Sequence, residues 1–251
     1  MDPKKTISII VTAMNEEGNL APTVNAVISA AAPHFDSYEV IIVDDGSRDG
    51  TSQLADDLAA ANPRIVVHHN PVNRGLAASY RIGIALAKHE YTAWVAGNNL
   101  IPSEAFDAMF AAVGRKEIVS TFLELDVRGW TRRKLSQTFT RGMNLLFGTR
   151  LRYFTGPCVY RSRALRGLRT VSEGSMFVAE VLLRLVLAGE TYTTVGIYPL
   201  QRTSGSTKSF RLKNVANVLR FVALLFFELR ILHRPRVAHP NTSNDRKTAV
   251  L

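Results

Sequence analysis

Glu39-Val40-Ile41-Ile42-Val43-Asp44-Asp45-Gly46-Ser47-Arg48-Asp49-Gly50-Thr51 is the stretch that decides the fold. Val40 to Val43 are all apolar and β-branched, without polar alternation, which suits a strand covered on both faces as in parallel α/β sheets. The run stops at two acids followed by glycines and small hydroxyls. A strand here therefore delivers Asp44 and Asp45 to its carboxyl end, where open sheets of this kind bind ligands. Asp49-Gly50-Thr51 reads as a turn into a helix from about Ser52, with acid near the helix start where the macrodipole favours it. A capped turn alone seldom needs two adjacent carboxylates as well, so Asp44 and Asp45 are candidate site residues.

The same grammar extends outward in both directions. Upstream, residues 7–12 form a strand, and Asn15 is placed to cap a helix running to about Ala32, closed by Pro33. Downstream come a helix over 52–61, a strand over 65–69, a loop Asn70-Pro71-Val72-Asn73-Arg74-Gly75, a helix Leu76 to Lys88 and a strand Tyr91 to Ala96. Four alternations of strand and helix predict an α/β protein with a mostly parallel central sheet and helices on both faces. Arg74 beside Gly75 can meet a phosphate or a base edge at a helix start. Gly97-Asn98-Asn99 reaches the same sheet edge as Asp44 and Asp45. His68 and His69 have no metal-ligating partners at suitable spacing and read as structural.

Charge is unevenly spread. Residues 1–126 carry nine Lys and Arg against sixteen Asp and Glu, whereas residues 127–172 carry eleven basic side chains and no acid. The basic stretch includes Arg128, Arg133 and Arg141, candidates to meet phosphates or an anionic membrane surface, because a passive surface normally mixes both signs. A strand over 117–125 precedes it, and a helix running to about Phe147 lies within it. Glu180 interrupts the apolar face of a helix over 176–188, either as a site carboxylate or paired with Arg184. A last strand spans Tyr192 to Tyr198, followed by a basic, hydroxyl-rich loop around Arg202 and Lys208 suited to oxyanions.

Residues 213–234 predict an amphipathic helix that lies on a membrane or packs against the domain or a second copy, making a homo-oligomer one expectation. Its uncharged core from Phe221 to Phe227 is far shorter than the roughly 20 residues a bilayer span needs. Residues 235–251 predict a disordered tail. A hydrophobic fraction of 46% excludes general disorder, and the single Cys158 excludes an intrachain disulfide, so a cytoplasmic setting is expected, with no secretion signal. The basic stretch lacks a nucleic-acid motif, and no nucleic-acid partner is expected.

Taken together, Ala13-Met14-Asn15-Glu16-Glu17, Val43 to Thr51, Asn73-Arg74-Gly75 and the series Arg202, Gly205, Thr207, Lys208 resemble the inverting family-2 glycosyltransferases of the GT-A fold, especially the dolichyl- or polyprenyl-phosphate sugar synthases. The resemblance covers about residues 6–212, and the catalytic domain is expected over residues 1–212. It implies that Thr12, Ala13, Asn15, Glu16, Asp44 and Asp45 hold the base and ribose of a nucleotide-sugar donor. Arg74, Gly75, Asn98 and Asn99 would complete the donor site, while Arg202 and Lys208 approach donor or acceptor phosphates. The partners implied are a nucleotide sugar, a lipid-phosphate acceptor and the anionic cytoplasmic face of a membrane.

Two segments depart from that family. Gly97-Asn98-Asn99 stands where it carries an acidic D-x-D pair, leaving Asn99 as a weak candidate ligand for Mg2+ or Mn2+. Phe154-Thr155-Gly156-Pro157-Cys158 stands where it has T-S-G-F-R, with Cys158 at the arginine position. Two alternatives stay open: transfer to a saccharide hydroxyl with Glu180 as base, and a degenerate protein that binds nucleotide sugar without turnover.

Overall fold

The computed structural model describes residues 5–124, 129–200 and 212–231. Arg128, Arg202, Lys208 and the tail over 235–251 lie outside the described residues. The chain runs β1 (Thr6–Ala13), α1 (Leu20–Ala31), β2 (Ser37–Asp44), α2 (Thr51–Ala61), β3 (Ile65–His69), α3 (Leu76–Leu86), β4 (Tyr91–Ala96) and α4 (Ser103–Ala111). It continues through β5 (Ile118–Leu123), α5 (Trp130–Phe147), β6 (Cys158–Arg161), α6 (Ser162–Arg166), α7 (Met176–Leu187), β7 (Tyr192–Ile197) and α8 (Leu212–Phe226), which ends in a π-helical turn, Phe227–Ile231.

The strands make one seven-stranded sheet in the order β3-β2-β1-β4-β6-β5-β7. All neighbours are parallel except β6, which runs antiparallel to both β4 and β5. Side chains of successive strand residues point to opposite faces, so an apolar run feeds two cores. Ile7, Ile9, Val11, Val40 and Ile42 join one core with α1, α2 and α4. Ile10, Ile41 and Val43 join the other with α3, α5, α6, α7 and α8. That division is the physical reason for the unbroken apolar character of β1 and β2.

Gly83 sets the approach of α3 to the sheet. A Cβ there would lie 2.3 Å from Ile10 Cγ2, so the helix packs close only because residue 83 has no side chain. Tight seating of α3 carries the residues leading into it, Arg74 and Gly75, up against the end of β2.

Several boundaries differ from expectation. Asn15 does not cap α1, which begins at Leu20 with Asn19 in the cap position. The strand β6 and the short α6 were not expected. β6 pairs Trp94 with Cys158 on one side and Ser120 with Cys158 on the other, so it enters from the carboxyl edge and must run downward. Phe221 and Leu225 of α8 are buried in the second core, while Leu224 and Phe227 are exposed. The helix thus packs on the sheet domain along one face. No helix among the described residues is long and apolar enough to cross a membrane.

Candidate donor site at the carboxyl edge

Three adjacent strands, β2, β1 and β4, end together. The register sets Ala13 beside Asp44 and Thr12 beside Ala96, and the ladder continues one residue further through Asp45 N–H to Ala13 O and Gly97 N–H to Thr12 O, each 2.9 Å. Thr12, Ala13, Asp44, Asp45 and the Gly97-Asn98-Asn99 turn are thereby brought to one edge. The Thr12 hydroxyl accepts the Trp94 Nε1–H at 3.1 Å.

The β1–α1 and β2–α2 loops are laced to each other. Asn15 adopts a left-handed backbone, φ 54°, in which its N–H donates to Ser47 Oγ (2.9 Å) and its side-chain Oδ1 accepts Arg48 N–H (2.8 Å). Glu16 N–H donates to Thr51 Oγ1 at 2.8 Å, and Gly50 N–H donates to Glu17 Oε2 at 3.1 Å. Asn is one of the few side chains that tolerate this backbone region. Gly46, at φ 72°, allows the β2–α2 turn to touch the β3–α3 loop, since a Cβ there would lie 2.7 Å from the Val72 carbonyl carbon.

Asp44 and Asp45 divide the work. Asp44, 1% exposed, accepts Ser47 N–H (3.1 Å), Ser47 Oγ–H (2.5 Å), Ser52 Oγ–H (2.5 Å) and His69 Nδ1–H (3.0 Å). Burial alone would raise its pKa, but the hydrogen bonds from Ser47, Ser52 and His69 outweigh that and hold it below the ordinary carboxylate value. Asp45 accepts Asn70 Nδ2–H and the backbone N–H groups of Arg74 and Gly75, all at 2.9 Å. Both carboxylates are therefore committed to shaping the rim. The Arg74 side chain is exposed beyond it.

Between these loops lies a cavity of about 420 Å3, lined by Met14, Asp44, Ser47, Arg48, His69 and Asn73 among others. His69 sits beside Asp44 in the strand register. The sequence reading of His69 as merely structural missed this. The available signal was its position: a polar residue at the carboxyl end of the strand next to the acid-bearing one.

The Gly97-Asn98-Asn99 turn offers amides. Asn99, at φ 51°, donates its N–H to Thr23 Oγ1 at 3.0 Å. Among the described residues no three His, Cys, Asp or Glu side chains converge to hold a metal ion. Neutral amides with both nearby aspartates committed elsewhere do not fit a protein cradle for Mg2+ or Mn2+, which favour carboxylate oxygens.

Glu180 does not reach this edge. It is fully buried on α7, accepting Val171 N–H (3.0 Å), Ser172 N–H (2.8 Å), the Ser172 hydroxyl and Arg184 Nε–H (2.6 Å). Arg184 in turn donates to Glu228 at 2.5 Å. A buried carboxylate needs such saturation, and the pairing with Arg184 replaces the base role expected as an alternative. Arg133 and Arg141 are exposed on α5. Cys158 is buried at the start of β6, and burial pushes its thiol up to about 11. Position 158 thus faces the core here.

Residues 8–172 match the family model described as glycosyl transferase family 2. The polyprenol monophosphomannose synthase of Mycolicibacterium smegmatis is 30% identical over 224 residues, 82% of either chain. The undecaprenyl-phosphate 4-deoxy-4-formamido-L-arabinose transferase of Aeromonas hydrophila is 25% identical over 177 residues, 69% of this chain but only 54% of that one. In three dimensions, glucosyl-3-phosphoglycerate synthase of Mycobacterium tuberculosis with phosphoglyceric acid superposes at a TM-score of 0.64 and 19% identity, covering 89% of this chain and 79% of that one. Its complex with Mn2+, UDP and glucosyl-3-phosphoglycerate gives a TM-score of 0.62. At such identity the likeness is one of fold, the GT-A arrangement expected from the motifs.

Proposed function

The chain belongs to glycosyl transferase family 2, and from that premise we propose that it moves a sugar from a nucleotide-sugar donor to a polyprenyl-phosphate-type lipid at the cytoplasmic face of a membrane, with inversion. The observation that carries the donor half is the meeting of the β2 and β3 ends with the loops that follow β1, β2 and β3 around the cavity beside Asp44. The nucleotide lies against the laced β1–α1 and β2–α2 loops, with Thr12, Ala13, Asn15 and Glu16 on one side and Arg74 and Gly75 on the other.

The acceptor half rests on the likeness to polyprenyl-phosphate enzymes and on chemistry. A phosphate oxygen is already anionic, so it attacks the anomeric carbon from the face opposite the leaving diphosphate without a general base. The chain's contribution is then to align the two reactants and stabilise the departing charge. Arg202 and Lys208 are proposed for that charge, and Arg128, Arg133 and Arg141 for the lipid phosphate.

A membrane partner is supported by α5. Trp130, Lys134, Arg141 and Leu145 fall on one exposed face of it, with Trp130 65% and Leu145 86% exposed. Phe147 meets Phe226 edge-on, joining α5 to α8, whose Leu224 and Phe227 are also exposed. An aromatic, a leucine and two cations on one face suit an anionic lipid interface. Incubating the full chain with radiolabelled GDP- and UDP-sugars and vesicles containing a polyprenyl phosphate tests the assignment. Label should enter the lipid fraction only when the phosphate lipid is present; transfer to free saccharides instead would refute the acceptor assignment.

A further inference from the structure

His69, at the end of β3, presents both ring nitrogens to carboxylates. Nδ1 lies 3.0 Å from Asp44 Oδ2, and Nε2 lies 3.0 Å from Asp56 Oδ1. A neutral imidazole has one donor and one acceptor nitrogen, so one of these contacts would set a lone pair against a carboxylate oxygen. Only the imidazolium donates to both. The contacts tie three elements together: Asp44 ends β2, His69 ends β3 and Asp56 lies in α2.

This bridge stands in the wall of the 420 Å3 cavity, to which His69, Asp44 and Asp56 all contribute. We propose that His69, as an imidazolium clamped between Asp44 and Asp56, is a positioning residue for nucleotide-sugar binding. It holds Asp44 in the orientation that also receives Ser47 and Ser52, and so fixes the β2–α2 turn that forms one side of the cavity. Losing its second proton releases one carboxylate, and the turn no longer has a single arrangement. The donor then binds less tightly with rising pH, while the chemistry of transfer is left alone. The proposal rests on the donor-site assignment above and adds a pH limit to it.

The charged groups around the ring agree with this. Asp44 on β2 and Asp56 on α2 favour the imidazolium, and the Asp44 hydrogen bond is the largest cause of its raised pKa, with that from Asp56 next, against an opposing effect of burial. Arg48, on the β2–α2 turn, is the one Lys or Arg among the residues lining the cavity. Ser52, Asn70 and Asn73 also line the cavity and are neutral at every relevant pH. The ring's 37% side-chain exposure leaves it open to proton exchange with solvent.

The test is steady-state kinetics and calorimetry of the full chain with GDP-mannose and UDP-glucose from about pH 5.5 to about pH 9, a range that brackets an imidazole's titration. For whichever sugar nucleotide binds, the donor KM of the wild type should rise with pH while kcat stays nearly level. His69→Gln should show a KM roughly tenfold higher at the acid end and no rise with pH, as expected for losing a charge-assisted contact. His69→Arg, which keeps a cation able to donate to both carboxylates, should restore a low KM that is flat across the range. Asp56→Asn, at an exposed position, should move the rise to lower pH. Melting curves of each variant show that it is folded. A flat wild-type KM, or a folded His69→Gln that binds like the wild type, overturns the proposal while leaving the donor site standing. Failure of the wild type to bind either sugar nucleotide sinks the donor-site assignment and this proposal with it.

Discussion

The Gly75 N–H donates to Asp45 Oδ2 at 2.9 Å, so the acid just after β2 closes onto the N-cap residue of α3. With Arg74 N–H on the other oxygen, also at 2.9 Å, the carboxylate acts as a bridge between two strand-to-helix connections. An acid at the start of a helix meets both the unpaired N–H groups and the positive end of the dipole.

Asp45→Ala therefore removes more than a donor contact. It leaves the part-buried N–H groups of Arg74 and Gly75 without their acceptor, which costs on the order of 1 kcal/mol, and frees the loop that carries Arg74. Denaturant unfolding should show that loss, and calorimetry should show nucleotide-sugar binding abolished in the folded protein. Asp45→Asn, keeping one acceptor oxygen, should fall between.

Stability should narrow from both sides of neutral pH. Asp44 has a lowered folded pKa, so its contribution is complete above the unfolded carboxylate value of about 3.9 and is lost as pH falls through the lower folded value. His69 has a raised folded pKa; its contribution is complete below about 6.5 and is lost as pH rises through the raised value. Melting temperatures across pH should fall at both ends, and His69→Gln should flatten the alkaline side while also weakening the acid side, because His69 is one of the groups that lower Asp44.

Glu180→Ala should be among the most damaging single changes. It strands Arg184, 4% exposed, beside Glu228 and removes the acceptor of Val171 and Ser172 N–H. Breaking one partner of a buried pair typically costs about 3–5 kcal/mol. Glu180→Gln, which keeps an acceptor, should cost less; equal melting of wild type and Glu180→Ala would refute the buried-network account.

Lys134→Glu with Arg141→Glu on the exposed face of α5 should weaken binding to anionic vesicles at least roughly tenfold, since each cation near such a surface contributes about 1 kcal/mol. Added salt should shrink the difference by screening. Co-sedimentation with phosphatidylglycerol vesicles measures it, against neutral vesicles as reference.

Asn99→Asp should create metal affinity where the amide offers little. Without nucleotide, Mn2+ titration of the wild type should show weak binding at most, and the variant should bind more tightly because a carboxylate offsets the ion's charge. Tight Mn2+ binding by the wild type alone would overturn the reading of this turn.

Much of the framework was legible in the chain itself. The apolar run Val40 to Val43, the strands over 65–69 and 91–96 and the arrival of Asp44, Asp45 and Asn99 at one edge follow from side-chain period and from turn residues. These are local properties, carried by a few neighbouring residues. What each of those side chains touches is another matter. The antiparallel β6, the lacing of Asn15 to Ser47 and Arg48, the burial of Glu180 against Arg184 and the clamp of His69 on Asp44 all join distant parts of the chain. Asp44 and His69 are 25 residues apart, and Arg184 and Glu228 are 44 apart. Such pairs are decided by strand order, register and the depth to which helices seat on the sheet. A buried acid takes whichever donors that packing brings within hydrogen-bonding reach, and no local pattern names them.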